Sequence, residues 1–203
     1  MNKTFPWSRR RALMTAATFA ACALGGSASA QGAWPGTQPI KLVVPFTAGS
    51  GTDIVARLVA EKLGPVLGTS VIVDNKPGAG GTLGAAITAK APADGYTLLV
   101  HSAGHLVNPW IYKGLSYDTI KDFAGITPMA SLPNVLVTAP SHFANVQDLV
   151  AKAKAKPGGL NYGSAGNGSA THMNAEVFRL AAGVDAQHVP FRGTPEAMTE
   201  VMA

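Results

Sequence analysis

Short apolar runs alternate with amphipathic segments along most of the chain. Runs with the length and composition of buried strands lie at 40–44, 70–73, 97–100, 135–138, 160–162 and 187–189. Segments with apolar residues at helical spacing lie at 53–63, 82–89, 146–155, 171–181 and 195–203. Strands that alternate with helices predict an α/β protein with mostly parallel sheets.

A segment punctuated by Gly125 and Pro128 divides this pattern into two parts. It covers 117–128, and Pro133 and Pro140 bracket the strand-like run that follows. We interpret this region as a crossing between two lobes, with lobe 1 at 31–132 and lobe 2 at 133–203.

The first thirty residues have the pattern of an export signal. Three arginines at 9–11 precede an apolar stretch at 13–24, and small residues at 28–30 form a cleavage site, so we predict cleavage after Ala30. The arginines resemble a twin-arginine signal, which leaves the Sec and Tat routes both open. Cys22 faintly resembles a lipoprotein cleavage site, but Ala30 is the cleaner one.

Removal of this signal changes the charge of the protein. The whole chain has 16 Lys and Arg against 11 Asp and Glu, and the signal holds four of the basic residues and none of the acidic ones. The nearly neutral mature chain therefore offers no basic face for nucleic acid. The mature chain also contains no cysteine, which excludes disulfides, Cys-ligated metals and thiol nucleophiles.

The turn after the first predicted strand has the composition of an anion site. It reads PFTAGSGTD from Pro45 to Asp53, and its glycines let the backbone approach a ligand where the first helical N–H groups are unpaired. The chain has neither G-x-G-x-x-G nor G-x-x-x-x-G-K-[ST], so an anion smaller than a nucleotide is favoured. The alternative is a plain connection between strand and helix.

Asp53 presents a physical difficulty, because a carboxylate repels an anionic ligand. It either caps the free N–H groups of the turn or pairs with a ligand amine, and we favour the capping role.

A second turn of the same kind occurs in the second half of the chain. Residues 163–169, GSAGNGS, lie between a predicted strand and a predicted helix. Ligands of open α/β sheets bind beyond the carboxyl ends of strands, so the two turns could face one cleft and hold a dicarboxylate. The alternative is that each turn only closes its own crossover.

The sequence resembles the solute-binding receptors of tripartite tricarboxylate transporters, the Bug or TctC-like family. The resemblance covers essentially the whole mature chain, and it rests on the segments VPFTAGSGTDIVAR (44–57), VDNKPGAGGTLGA (73–85), PADGYTLL (92–99), NPWIYKGLSYDTIKDFAGIT (108–127), PNVLVTAPS (133–141), AKAKPGGLNYGSAGNGSATHM (153–173) and AGVDAQHVPFRGTPEAM (182–198).

This resemblance implies a two-lobed periplasmic binding protein of the type II-like architecture, with mostly parallel sheets and flanking helices. It implies a monomer without a cofactor that captures a small carboxylate and delivers it to membrane transporter subunits. The ligand residues that it implies are Phe46, Thr47, Gly49, Ser50, Thr52 and Asp53, facing Ser164, Gly166, Asn167, Gly168 and Ser169. Phe46 would form an apolar wall, and Ser50 stands where the family more often has glycine.

Three further sets of residues complete this expectation. Ser102 and His105, in a predicted loop after the third strand, are weaker ligand candidates. His172 and His188 are assigned to structure, and Arg192 precedes the last helix with a possible contact across the cleft.

Two other classes of protein remain as alternatives. One is an exported α/β hydrolase or other periplasmic enzyme, although H-E-x-x-H, C-x-x-C and G-x-S-x-G do not occur. The other is a structural or adhesive domain. Family members continue well past Ala203, and 195–203 reads as a helix without a stop signal. The chain is therefore expected to be a fragment, with lobe 2 incomplete and lobe 1 lacking its returning segment.

Overall fold

The computed structural model of the protein describes residues 34–203. The predictions for the export signal, for cleavage after Ala30 and for Cys22 concern residues that lie outside this range. Pro35–Ala203 forms one compact unit. Within the described range, no helix combines the length and the apolar composition needed to cross a membrane.

Strands and helices alternate along this unit, as the apolar pattern predicts. The strands are β1 (Ile40–Val44), β2 (Val71–Asn75), β3 (Thr97–Leu99), β4 (Asn161–Ser164) and β5 (Gln187–Pro190). The α-helices are α1 (Gly51–Leu67), α2 (Thr82–Ala89), α3 (Gly104–Ile111), α4 (Val146–Ala155), α5 (Ala170–Ala182) and α6 (Thr194–Met202), and a 3₁₀ turn covers Ala79–Gly81.

The first sheet is parallel and contains the main apolar core. Its strand order is β2-β1-β3, with Leu42 of β1 paired to Val73 and Leu98. Because β1 is central and contacts both α1 and α2, its side chains are buried nearly throughout, and its apolar residues pack against Ala56 and Ala60 of α1. The carboxyl end of β1 is thereby fixed in place, and the first small-residue turn begins there.

The second sheet described is the parallel pair β4-β5. Ser164, at the carboxyl end of β4, pairs with Pro190. Helix α6 packs on β4, and a Cβ at Gly163 would lie 3.2 Å from Cβ of Ala197. Both sheets are therefore parallel, which confirms the predicted α/β class.

The predicted strand at 135–138 is wrong. Residues 124–139 have no regular secondary structure, and the side chain of Val135 is 77% exposed. Pro133 and Pro140 interrupt ladder donation on either side, and within residues 34–203 no strand pairs with this run. High β-propensity is insufficient here because a strand needs a partner.

The predicted loop that contains Ser102 and His105 is wrong in part. Ser102 lies in a loop, but His105 lies in the first turn of α3. The helix has only eight residues, it lacks a side-chain N-cap, and it contains Pro109. None of the usual helix start and stop signals marks it in the sequence.

Candidate functional site

The first turn is organised around the carboxylate of Asp53. Its Oδ2 accepts hydrogen bonds from the N–H of Gly49 at 2.8 Å and from Nε of Arg57 at 2.9 Å, and its Oδ1 accepts one from Nδ2 of Asn75 at 2.8 Å. The same Nδ2 group donates to the carbonyl of Phe46 at 3.0 Å. Asp53 thus ties the turn to α1 and β2, which is the organising role predicted for it.

The charge of Asp53 is satisfied by protein donors. The residue is 1% exposed, and burial acts to raise the pKa of its carboxyl group. The hydrogen bonds from Arg57, Gly49 and Asn75 outweigh burial, so the pKa lies below its ordinary value. An ionised Asp53 in this network presents little unpaired negative charge to a ligand.

Ser50 caps the helix that follows the first turn. Its backbone is extended, with φ −67° and ψ 156°, and its Oγ accepts the N–H of Asp53 at 3.4 Å. The backbone bonds of the turn use the amides of Ser50 and Ile54. The amides of Gly51 and Thr52, the first two helical positions, take part in none of these bonds, as is usual for the first N–H groups of a helix.

The second turn repeats this arrangement. Ser169 has φ −63° and ψ 159°, and its Oγ accepts the N–H of His172 at 3.2 Å. Backbone bonds use the amides of Ser169 and Met173. The amides of Ala170 and Thr171 are left out of them, so α5 offers the same two positions as α1.

Both predicted serines, Ser50 and Ser169, therefore use their hydroxyl oxygens as caps. The sequence analysis named them as ligand contacts and did not name Gly51, Ala170 and Thr171, whose amides the caps leave available. The N-cap pattern itself could have revealed these residues, because a capping serine is followed by unpaired N–H groups.

Each turn makes contacts with the other lobe. Oγ1 of Thr47 donates to Oε2 of Glu196 in α6 at 2.9 Å, and a Cβ at Gly193 would lie 1.9 Å from that Oγ1. A hydroxyl has one proton, so Thr47 can only accept from a ligand while this bond exists. Thr47, Gly193 and Glu196 thus join the first turn to the N-terminus of α6.

The second turn packs against the first lobe at a different place. The hydroxyl of Tyr112 donates to the carbonyl of Asn167 at 2.9 Å. A Cβ at Gly80 would lie 1.8 Å from that carbonyl oxygen, and one at Gly104 would lie 2.4 Å from the carbonyl oxygen of Gly168. Glycine is needed at both positions because the backbones of the two lobes approach too closely for a side chain.

His101 is a residue of this region that the sequence analysis missed. It follows β3 directly, and its ring contacts Phe46 edge-on at 5.4 Å and His105 at 5.0 Å. The N–H of Ser102 donates to its Nδ1 at 2.9 Å, and burial lowers the pKa of His101 to about 4. A neutral His101 therefore supports the wall that Phe46 forms. Its position at the carboxyl end of a parallel strand could have indicated it.

The weaker ligand candidates lie beside this wall. His105 stacks on Tyr117 at 6.0 Å and meets Phe123 edge-on at 4.8 Å. Burial lowers its pKa as well. His105 is thus part of an aromatic cluster in the first lobe. The N–H of Ser102 is already hydrogen-bonded to His101.

Arg192 directly precedes Gly193, which packs against Thr47 of the first turn. Arg192 is exposed, and Lys76 pairs with Asp74 at 3.0 Å. A groove of about 590 Å³ lies between α4 and α5, but its lining contains none of the predicted ligand residues. Among residues 34–203, no cluster of three or more His, Cys, Asp or Glu has an arrangement suited to a metal ion.

Several solved structures share the fold of this chain. A solved structure described as a periplasmic transporter is 39% identical, with a TM-score of 0.78 over 83% of this chain and 57% of that chain. The Rhodopseudomonas palustris protein MatC, solved with bound malate, is 30% identical, with a TM-score of 0.72 over 80% of this chain and 56% of its own. The R. palustris protein Rpa4515, solved with adipate, is 37% identical, with a TM-score of 0.78 over 83% of this chain and 56% of its own.

Curated relatives are similar to this chain in sequence. A protein from the tcbD-tcbE intergenic region of Pseudomonas sp. (strain P51) is 38% identical over 82% of this chain, and BugT of Bordetella pertussis is 34% identical over 81%. The chain spans about half the length of these relatives, 50% and 52% respectively.

The two parallel sheets, and the turns at their carboxyl edges, have the fold of a periplasmic binding protein. Residues 55–203 match the model of the family TctC, described as the tripartite tricarboxylate transporter family receptor. The chain belongs to this family, as its sequence motifs predicted.

Proposed function

We propose that the mature protein is a periplasmic solute-binding receptor that holds a small carboxylate between the two turns. The observation that carries the proposal is the matched pair of helix starts, in which capping serines leave two amides on each of α1 and α5 for an anion. Binding of adipate and malate by two structural relatives supports a carboxylate as the ligand class. The family supports delivery to a tripartite tricarboxylate transporter.

The site is suited to recognition through main-chain amides. Arg57 of α1 is bound to Asp53 and Asn75. Amides at helix ends carry partial positive charge and are arranged before the ligand arrives, so binding does not require a basic cluster. All thirteen predicted ligand residues remain proposals in this scheme, with Thr47, Asp53, Ser50 and Ser169 acting chiefly through the shape of the turns.

An enzyme is the less favoured alternative. The strongest feature of this kind is Ser164, whose Oγ lies 2.6 Å from Nε2 of His188. Ser164 is 1% exposed, and its Oγ also accepts the N–H of Gly166 at 3.1 Å. A nucleophile must reach its substrate, so we assign this pair to the support of the second turn.

A thermal-shift screen tests the proposal. The full-length mature protein is heated with adipate, malate, other mono-, di- and tricarboxylates, and amino acids. A ligand at a hundredfold excess over its Kd should add about 2.7 kcal/mol to the free energy of unfolding. Turnover of a carboxylic ester or amide without any carboxylate-induced shift would instead support an enzyme. No shift with any carboxylate would contradict the proposal.

A further inference from the structure

Two histidines lie directly beneath the second turn. His188 of β5 pairs with Tyr162 of β4 in the sheet, and His172 belongs to the first turn of α5. The rings of His172 and His188 stack with centroids 4.0 Å apart, and Tyr162 stacks on His188 at 4.9 Å. The three rings form a layer under residues 164–169.

The imidazoles hold two glycine amides of this turn. The N–H of Gly168 donates to Nδ1 of His172 at 3.1 Å. The N–H of Gly166 donates to Oγ of Ser164, and that Oγ is hydrogen-bonded to Nε2 of His188. The left-handed backbone of both glycines, with φ 109° at Gly166 and 77° at Gly168, is therefore fixed by bonds to the layer.

The bond from Gly168 requires an unprotonated Nδ1. A charged imidazole carries a proton on both nitrogens and cannot accept. Protonation of His172 would therefore set Nδ1–H against the N–H of Gly168. A second positive charge on His188, 4.0 Å away, would add repulsion.

The charged groups around the layer are already paired or hydrogen-bonded with one another. The carboxylate of Glu176 on α5 accepts from Arg179 at 2.9 Å and from the hydroxyl of Tyr162, and these bonds lower the pKa of Glu176 to about 2. Burial raises the pKa of the Tyr162 hydroxyl. The hydrogen bond to Glu176 and the negative charge of Asp185 raise the pKa of Arg179. Glu176 and Tyr162 thus keep their charge states between pH 4 and 8, and the imidazoles are the groups of the layer that can change charge there.

We propose that His172 and His188 are positioning residues that hold the second turn in its carboxylate-binding conformation and release it on acidification. The inference rests on the proposed function and adds a regulation of the same site. Burial lowers the pKa of both histidines, with the field of Glu176 opposing, so the turn stays intact at neutral pH. The change is expected below pH 6.5, the ordinary value for histidine.

A ligand-free measurement tests the coupling itself. In NMR spectra of the mature protein recorded from pH 7.5 to 4.5, the Gly168 amide should titrate with the same midpoint as the His172 ring. In His172→Asn, whose Oδ1 replaces Nδ1 as an acceptor that does not titrate, this amide should be unaffected by pH. A Gly168 amide that is insensitive to the protonation of His172 in the wild type would overturn the proposal.

A binding measurement then tests the consequence. Calorimetry gives the Kd for adipate from pH 7.5 to 4.5 in the wild type and in His172→Asn, and the protonation of adipate cancels in the ratio of the two values. The ratio should be constant above pH 6.5, and the wild type should weaken about tenfold relative to the variant below the His172 midpoint. A constant ratio would overturn the proposal.

The two measurements separate this inference from the proposed function. If neither adipate nor malate binds at any pH, the proposed function fails, and the Gly168 resonance still decides whether His172 positions the turn. His172→Phe, which keeps a ring in the layer and removes the acceptor, should bind adipate at least threefold more weakly than His172→Asn at pH 7.5. Equal affinities would contradict the role of Nδ1.

Discussion

Asp53 illustrates how a carboxylate can organise a proposed anion site without contacting the anion. Its two oxygens accept from Gly49, Arg57 and Asn75, which join the turn, the helix and the neighbouring strand. The sequence predicted this role from electrostatics alone, since an unpaired carboxylate would repel the ligand. It did not reveal Asn75, because a partner on another strand depends on the register of β1 and β2.

Substitution of Asp53→Asn should destabilise the protein by about 2–4 kcal/mol, because the buried amide group would present N–H donors to other donors in part-buried bonds. Urea unfolding measures the change. Asp148→Asn is a matched control. Asp148 lies in the first turn of α4, and its carboxylate also accepts hydrogen bonds from a turn amide, that of Ala144 at 3.0 Å, and from the ammonium group of Lys152. The cost of this control substitution should be clearly smaller, because surface ion pairs contribute little to stability. Equal costs would contradict the central role of Asp53.

The pH dependence of stability should report the same residue. The pKa of Asp53 in the folded protein lies below its ordinary value of 3.8, so the unfolded chain takes up a proton first as the pH falls. The contribution of Asp53 is therefore complete above about pH 4 and decreases below it. The unfolding free energies of the wild type and Asp53→Asn should converge as the pH falls from 4 towards 2. Curves that stay parallel would assign the acid sensitivity to other groups.

Helices α1 and α5 begin in the same way. Each has a serine cap in the same extended backbone conformation, and each leaves its first two amides outside the bonds of the turn. The small-residue composition of both turns predicted where these helices start to within two residues. The sequence did not decide between a cap and a ligand contact for these serine hydroxyls, because either role suits a serine at the start of a helix.

Proline at the first position of α1 tests the amide directly. Gly51→Pro removes one N–H that the turn does not use, and the extended backbone of Ser50 suits a residue before proline. Gly51→Ala is the matched control, because it places the same Cβ near Leu132 and keeps the N–H. Calorimetry with adipate should show at least tenfold weaker binding for the proline variant than for the alanine variant, with similar melting temperatures.

The same change at α5 extends this test to the second lobe. Ser169 has the same backbone conformation as Ser50, so Ala170→Pro should also fold. Loss of an amide that binds a carboxylate costs about 1.5–3 kcal/mol, so the affinity for a dicarboxylate should again fall at least tenfold. Unchanged affinity in both proline variants would exclude helix-end amides as the anion anchor.

At the scale of the whole molecule, hydrogen bonds join the two predicted lobes. The first turn contacts α6 through Thr47 and Glu196, and the second contacts α3 through Tyr112. Sequence reasoning predicted that both turns border one cleft but missed these contacts, since a short helix without caps and a single glutamate give no periodic signal. The failed strand at 135–138 has the same origin, because long-range pairing decides its structure.

Tyr112→Phe should speed ligand release. It removes the hydroxyl that bonds to Asn167 at 2.9 Å, a neutral hydrogen bond with a net value of about 0.5–1.5 kcal/mol, so the dissociation rate for adipate should rise about twofold to tenfold. Stopped-flow displacement measures it. Tyr117→Phe is the control, because that hydroxyl lies beside Asn108 and Thr119 within the first lobe. Equal rates in the two variants would show that the bond to Asn167 does not hold the lobes together.

The unused amides of α1 and α5 have a consequence for how such a receptor acquires new ligands. A main-chain donor depends on the path of the backbone, so replacing the side chains at 47 or 52 leaves it in place. In the proposed site, selectivity must then come from side chains around the two turns, such as Phe46, His101 and Glu196. Two relatives can therefore bind an acid group through the same main-chain amides and still accept metabolites of different length and polarity.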